Sequence, residues 1–375
     1  TVRVPSGGTL AISGTLARMF TNYVLELAGT GTWTGTQQIS SGSGAVLRVL
    51  SGGTLDVQGD PNFLYNQGGV ATRLEVQGTL TRTTSTGAAV MAVEYDNDAQ
   101  TTVASGTLRL SGGSGAGTAD GTYAANTGAT LEFSAGTHAL GALSAVGGAG
   151  TVLVSGGTVN AAGGWAVTSP TSVTGGALNY NNASGGTTGA LVVSGGTLGG
   201  SGLLQVTGSM TWSGGNLQGA GGTVRVPSGG TLAISGTLAR TFTNYVLELA
   251  GTGTWTGTHQ VSSGSGAVLR VLSGGTLDVQ GDPTFAYTLG GTVSRLEVQG
   301  TLLRTTSTGA AVVNASFADT TGTLTVSTGT LRLNGGARLG GSGHTIAAGA
   351  ALELGGGTLT MQPTTAIGGA GVLRI

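Results

Sequence analysis

The chain holds 375 residues, 76 of them Gly, with no Cys and no Lys, and its 14 Arg nearly balance 15 acidic residues for a net charge of −1. That composition excludes a disulfide-stapled scaffold and a basic nucleic-acid surface, and glycines without a three-residue period exclude collagen. The apolar share of 38% falls in ordered alternation, unlike a disordered low-complexity chain, and no run near 20 apolar residues exists to cross a bilayer as a helix.

The predicted elements are short β-strands, each visible as a triplet with two apolar residues flanking one charge. In a strand, residues i and i+2 face one way and i+1 the other, so each triplet buries two side chains and exposes the third. The central charges run Arg3, Glu26, Arg48, Glu75, Arg109 and Glu132, and resume as Arg225, Glu248, Arg270, Glu297, Arg332, Glu353 and Arg374. Their signs alternate strictly within each series. Opposite charges on paired strands stabilise by roughly 0.2–1 kcal/mol, so the order predicts a single column of neighbouring strands.

Between triplets lie corners of the Ser-Gly-Gly-Thr type, where Gly pairs permit positive φ. A second, apolar ladder runs in phase through Leu10/Ile12, Trp33, Leu55/Val57 and Leu80. A third is expected to include Leu16, Ile39 and Phe63. Over residues 153–210 the charges disappear, and Leu153, Asn179 and Gln205, with Val192 as an alternative, are the expected outward positions.

A long repeat overlies this pattern. Residues 1–90 recur at 223–312 with 11 changes, seven of them between Asn62 and Thr72. The fold expected is all-β, a right-handed parallel β-helix (β-solenoid) with triangular cross-section, its coils 21–35 residues long. About sixteen coils at ~4.8 Å each imply a rod of roughly 70–80 Å. Residues 1–375 are expected to form one continuous solenoid, with 1–222 as a first copy and 223–375 as a partial second. The chain opens and closes on core-type triplets and carries no secretory signal, so it is expected to be a segment of a longer protein.

Ser-Gly-Gly-Thr-Leu-Gly-Gly-Ser-Gly from residue 194, then 206–215 and 219–236, resemble the Gly/Thr-rich repeats of bacterial surface and secreted proteins. They are similar to autotransporter passenger repeats and, more loosely, to filamentous-haemagglutinin-like adhesins. The resemblance implies a non-catalytic, extracellular, cell-surface segment, a stiff stalk or adhesin passenger. Its partners would be glycans or proteins of host or neighbouring cells, besides adjacent repeats of the same chain; nucleic acid and membrane insertion are not expected.

The alternative is a carbohydrate-binding or polysaccharide-degrading β-helix, which needs clustered carboxylates or exposed aromatics. Asp56 and Asp60, with Asp278 and Asp282, are the first candidates, yet they read as a solvated strand residue and a turn starter. Glu94, Asp96 and Asp98 form the one local acidic cluster, but no calcium-loop spacing accompanies it. His138, His259 and His344 lack metal-ligand spacing, so no catalytic residue, metal or cofactor is assigned. Thr30-Gly31-Thr32-Trp33-Thr34-Gly35-Thr36 resembles a water-ordering array but is expected to be one coil deep. Among the aromatics, Tyr23, Tyr65, Tyr245 and Tyr287 are the candidate surface-binding residues, near presumed corners.

Overall fold

The computed structural model describes residues 1–375 and contains strands, turns and bends but no helix. Every strand pairing is parallel, and three faces per turn wind about 18 turns in all. The strands are typically four residues long, and many start on Thr, a β-branched residue suited to the pleat, before an apolar-x-apolar triplet. The chain forms two compact units, Thr1–Thr188 and Gly189–Ile375.

In the first unit, face 1 begins with Val2–Val4, Val24–Leu27, Val46–Val49, Arg73–Val76 and Glu94–Asn97. Through residues 112–119 it reaches Thr137–Leu140, Thr158–Ala161 and Ala177–Tyr180. Face 2 runs from Thr9–Ile12 through Thr30–Trp33, Thr54–Val57 and Thr79–Arg82 to Ala145–Gly148. Face 3 has two series, Arg18–Thr21, Ile39–Gly42, Asn62–Tyr65 and Ala88–Ala92, then Thr107–Leu110, Thr130–Phe133 and Thr151–Val154. The ten-residue strand Gly164–Val173 serves both: 164–167 continue face 2 and 171–173 continue face 3.

The second unit repeats the plan. Its face 1 holds Thr223–Val226, Val246–Leu249, Val268–Val271, Arg295–Val298 and Ser316–Asp319; face 2 follows from Thr231–Ile234 to His344–Ile346. Face 3 runs from Gly215–Gln218 and Arg240–Thr243 through Val261–Gly264, Thr284–Tyr287, Ala310–Val313 and Thr330–Leu333 to Ala351–Leu354 and Val372–Arg374.

Inside each unit the inward residues stack turn upon turn. Leu27, Val49, Leu55, Val57, Leu74 and Leu80 are fully buried, and each such side chain is worth about 1.5–3 kcal/mol of burial. Phe63 meets Trp33 edge-on at 5.8 Å and Phe20 at 6.3 Å; Phe285 repeats both contacts with Trp255 and Phe242 at 6.3 Å. The second ladder holds as expected, Ile12 against Trp33 and Leu55 against Leu80. The third keeps Ile39 against Phe63, but Leu16 is 78% exposed in a loop and the strand beside Ile39 is Arg18–Thr21.

Corners depend on glycine where turns touch. A Cβ on Gly53 would lie 2.2 Å from the Leu27 carbonyl oxygen of the preceding turn, so any side chain there forces the turns apart. Gly52, one residue earlier, has φ +79° and open space around it. The first Gly supplies a backbone angle, the second a close approach.

The turn count exceeds the sixteen expected because the long steps in the charge series hide a turn. From Glu75 the next strand of face 1 lies 21 residues on, at Asp96, and Arg109 belongs to face 3.

Candidate functional site

The charged column is the first candidate feature, and register divides it. On face 1, Arg3, Glu26, Arg48 and Glu75 are side by side in that order. Arg48 is the hub: Nη1 donates to Glu26 Oε1 at 2.9 Å and Nε donates to Glu75 Oε2 at 2.5 Å. These bonds, led by that to Glu75, raise the Arg48 pKa above its ordinary value. The second unit rebuilds the set, Arg225–Glu248 at 2.5 Å, Arg270–Glu248 at 2.8 Å and Arg270–Glu297 at 2.6 Å.

Arg109 and Glu132 pair with each other at 2.7 Å, but on face 3, as do Arg332 and Glu353 at 3.0 Å; Arg374 follows Glu353 there. The expected single column is therefore two short columns per unit on different faces.

In the charge-poor stretch, Leu153 follows Glu132 on face 3 and Gln205 lies beside Arg225 on face 1. Asn179 donates from Nδ2 to Asn160 Oδ1 at 2.9 Å, an amide step that replaces the ion pairs.

Where the column should continue with Arg, the first unit places Asp96 beside Glu75. Burial, then the charges of Asp98 and Glu75, push the Asp96 carboxyl up to about 6. Ala318 occupies the matching place beside Glu297 in the second unit. Glu94, Asp96 and Asp98 thus repel without converging, and no group of acidic or His residues has metal-binding geometry.

Asp60 and Asp282 are corner staples. Asp60 accepts from Arg82 and, at 2.7 Å, from Ser85 Oγ; Asp282 accepts from Arg304 Nη2 at 2.5 Å and Ser307 Oγ at 2.8 Å. Burial alone would raise the Asp60 carboxyl, but the Ser85 and Arg82 hydrogen bonds outweigh it and hold the pKa low. Arg82 and Arg304 are themselves buried, where Leu80-Thr81-Arg82 and Leu302-Leu303-Arg304 put an arginine at an inward position that an apolar residue would be expected to fill.

Asp56 faces outward and accepts from the hydroxyls of Thr81 at 3.1 Å and Thr83 at 2.8 Å. The threonine stack on face 2 is deeper than expected, with Thr9, Thr30, Thr54 and Thr79 in register. Its companion column, however, reads Ala11, Thr32, Asp56 and Thr81, so a regular two-column hydroxyl lattice is not formed.

Buried His344 lies with Nε2 3.2 Å from Asp319 Oδ2, while its Nδ1 accepts from the Leu324 N–H at 3.1 Å. Sequence spacing alone does not reveal this pair. Both residues are 1% exposed, so the pair lies inside the core. His138 is buried edge-on to Phe133 at 4.8 Å, and burial lowers its pKa to about 4 despite the Ala135 carbonyl.

The four tyrosines separate. Tyr245 is 1% exposed, covered by Gly219 and Gly222 of the preceding turn, and is no surface residue. Its counterpart Tyr23 lies in the first turn of the chain and is 60% exposed. Tyr65 and Tyr287 sit at the corner between faces 3 and 1. Each donates its hydroxyl to a carbonyl four residues on, Gly69 and Gly291 respectively, both at 2.5 Å.

No family model matches the chain, and no curated protein matches it. Among solved structures, it is similar to the crystal structure of a TibC-catalysed, hyper-glycosylated TibA fragment, with 15% identity, a TM-score of 0.28, and coverage of 97% of this chain and 99% of that one. At that level the likeness assigns no function.

Proposed function

We propose that this chain is a non-catalytic structural segment of an extracellular bacterial surface protein, a stiff spacer or adhesin passenger. One observation carries the reading: the 222-residue repeat reproduces whole turns together with their ion-pair network. Glu26–Arg48–Glu75 returns as Glu248–Arg270–Glu297 in the same register, and Asp60–Arg82 returns as Asp282–Arg304. Duplication of packing adds length, and in a solenoid each added turn is stabilised mainly by its neighbours. Nothing duplicated converges carboxylates across an open groove, as glycoside hydrolysis requires.

Force spectroscopy on the full chain tests this. A mechanical spacer should resist extension and then lose turns in regular steps on further pulling. Smooth extension at low force would refute the mechanical role, and release of reducing sugar from a polysaccharide panel would favour the enzymatic alternative. A carbohydrate-binding role is a second reading, favoured by the exposed ring of Tyr65 and its half-buried counterpart Tyr287.

A further inference from the structure

The two copies differ most at one corner, and the structure shows what kind of position that is. Residues 65–70 cross from face 3 to face 1 on a pinned backbone. The Asn66 and Gln67 N–H groups donate to the Ser41 carbonyl at 3.0 and 2.9 Å. The Gly68 and Val70 carbonyls accept from the N–H groups of Ser43 and Gly44, both at 2.8 Å. Gly68 and Gly69 have φ of +70° and +79°, and the Tyr65 hydroxyl closes the loop on Gly69.

The second unit repeats this frame bond for bond. Thr288 and Leu289 donate to the Ser263 carbonyl at 3.0 Å each; Ser265 and Gly266 donate to Gly290 and Thr292 at 2.8 and 2.7 Å. Gly290 and Gly291 have φ of +72° and +75°, and Tyr287 closes on Gly291.

On this shared frame the outward side chains change. Asn66, Gln67 and Val70 become Thr288, Leu289 and Thr292. Simple tolerance of change at exposed positions does not account for the clustering, since the exposed corner residues 51–52 and 83–84 are identical in both copies. The corner also carries exposed apolar groups: Tyr65 and Val70 in the first unit, Leu289 and Val293 in the second. Residues 62–72 and 284–294 contain no charged side chain.

We propose that residues 65–70 and 287–292 are a pair of binding sites for uncharged saccharides, alike in backbone and different in specificity. The locked Tyr ring supplies a rigid apolar platform at little entropic cost, as aromatic anchors do in antibody loops. The variable residues around it set which hydroxyls are satisfied: two amides in the first unit, a hydroxyl and an aliphatic chain in the second. A ligand hydroxyl left facing Leu289 loses the partner that Gln67 would offer, which separates related sugars. This site does not depend on the mechanical role.

The test uses the full chain, fluorescently labelled, on an array of neutral cello-, xylo-, manno- and galacto-oligosaccharides printed beside sialylated and sulfated glycans. Retention is expected on neutral glycans, in two groups. The triple variant Asn66→Thr, Gln67→Leu, Val70→Thr gives the first loop residues that the second already carries on the same frame, so folding is preserved. It should weaken one group by about tenfold or more, the scale of one or two lost hydrogen bonds, and leave the other group intact. Thr288→Asn, Leu289→Gln and Thr292→Val should do the reverse. Absence of binding to every neutral glycan, retention on acidic glycans alone, or binding that neither swap alters would overturn the proposal.

Discussion

Removing the Asp96 carboxylate should stabilise the first unit at neutral pH. Asp96 stands in register with Glu75, with Asp98 two residues on and Arg73 as the one nearby cation, beside Glu94. Its pKa rises from 3.8 to about 6, so the folded state holds the proton more tightly than the unfolded chain does. Stability is therefore fully present below about pH 4, declines as pH rises toward 6, and stays reduced above it. Taken whole, the shift corresponds to about 3 kcal/mol at neutral pH; solvent screening of this half-buried carboxyl reduces it to about 1–2 kcal/mol. Asp96→Ala installs the residue that the second unit carries as Ala318. In thermal unfolding at pH 7 the first unit's transition should rise by roughly 3–6 °C, and the gain should shrink toward zero near pH 4. A gain that ignores pH, or a loss at pH 7, would refute the like-charge account. Because the comparison is variant against parent, titration elsewhere cancels.

Three further outcomes follow from the geometry. His138 behaves oppositely to Asp96: its folded pKa of about 4 lies below the ordinary 6.5, so the stability it contributes is present above 6.5 and is lost as pH falls toward 4. His138→Phe should flatten that acid limb in urea titrations between pH 4 and 7. Arg48→Ala strands Glu26 and the nearly buried Glu75, at a cost of about 2–3 kcal/mol, and Arg48→Glu should cost about 1 kcal/mol more by placing three acids in a row. Equal losses in chemical denaturation would show that charge sign is irrelevant there. Gly52→Ala should cost about 1 kcal/mol for its φ alone, whereas Gly53→Ala should exceed about 2 kcal/mol because its Cβ meets the Leu27 carbonyl. Comparable midpoints for the two variants would argue against close approach as the reason for glycine at 53.

Much of the fold is legible along the chain because strand alternation and corner chemistry are local. Leu-Asp-Val after Ser-Gly-Gly-Thr reads as a strand in both copies, and the face 2 ladder from Ile12 through Trp33 to Val57 could be placed by counting. The candidate sites were less legible. Tyr65 and Tyr287 stand out as aromatic residues near a corner, but nothing in the sequence announces the hydroxyl bonds that lock them or the frame that the two loops share.

The amino-acid order alone thus decides that this is a parallel β-solenoid, which side chains of each strand point inward, and that a block of turns is duplicated. Which face a strand joins was decided by the tertiary structure, because all three faces use the same apolar-x-apolar signature and the assignment accumulates from corner lengths. Glu75 and Arg109 look like successive rungs, yet 21 residues complete the turn at Asp96 and the next 13 carry the chain on to face 3.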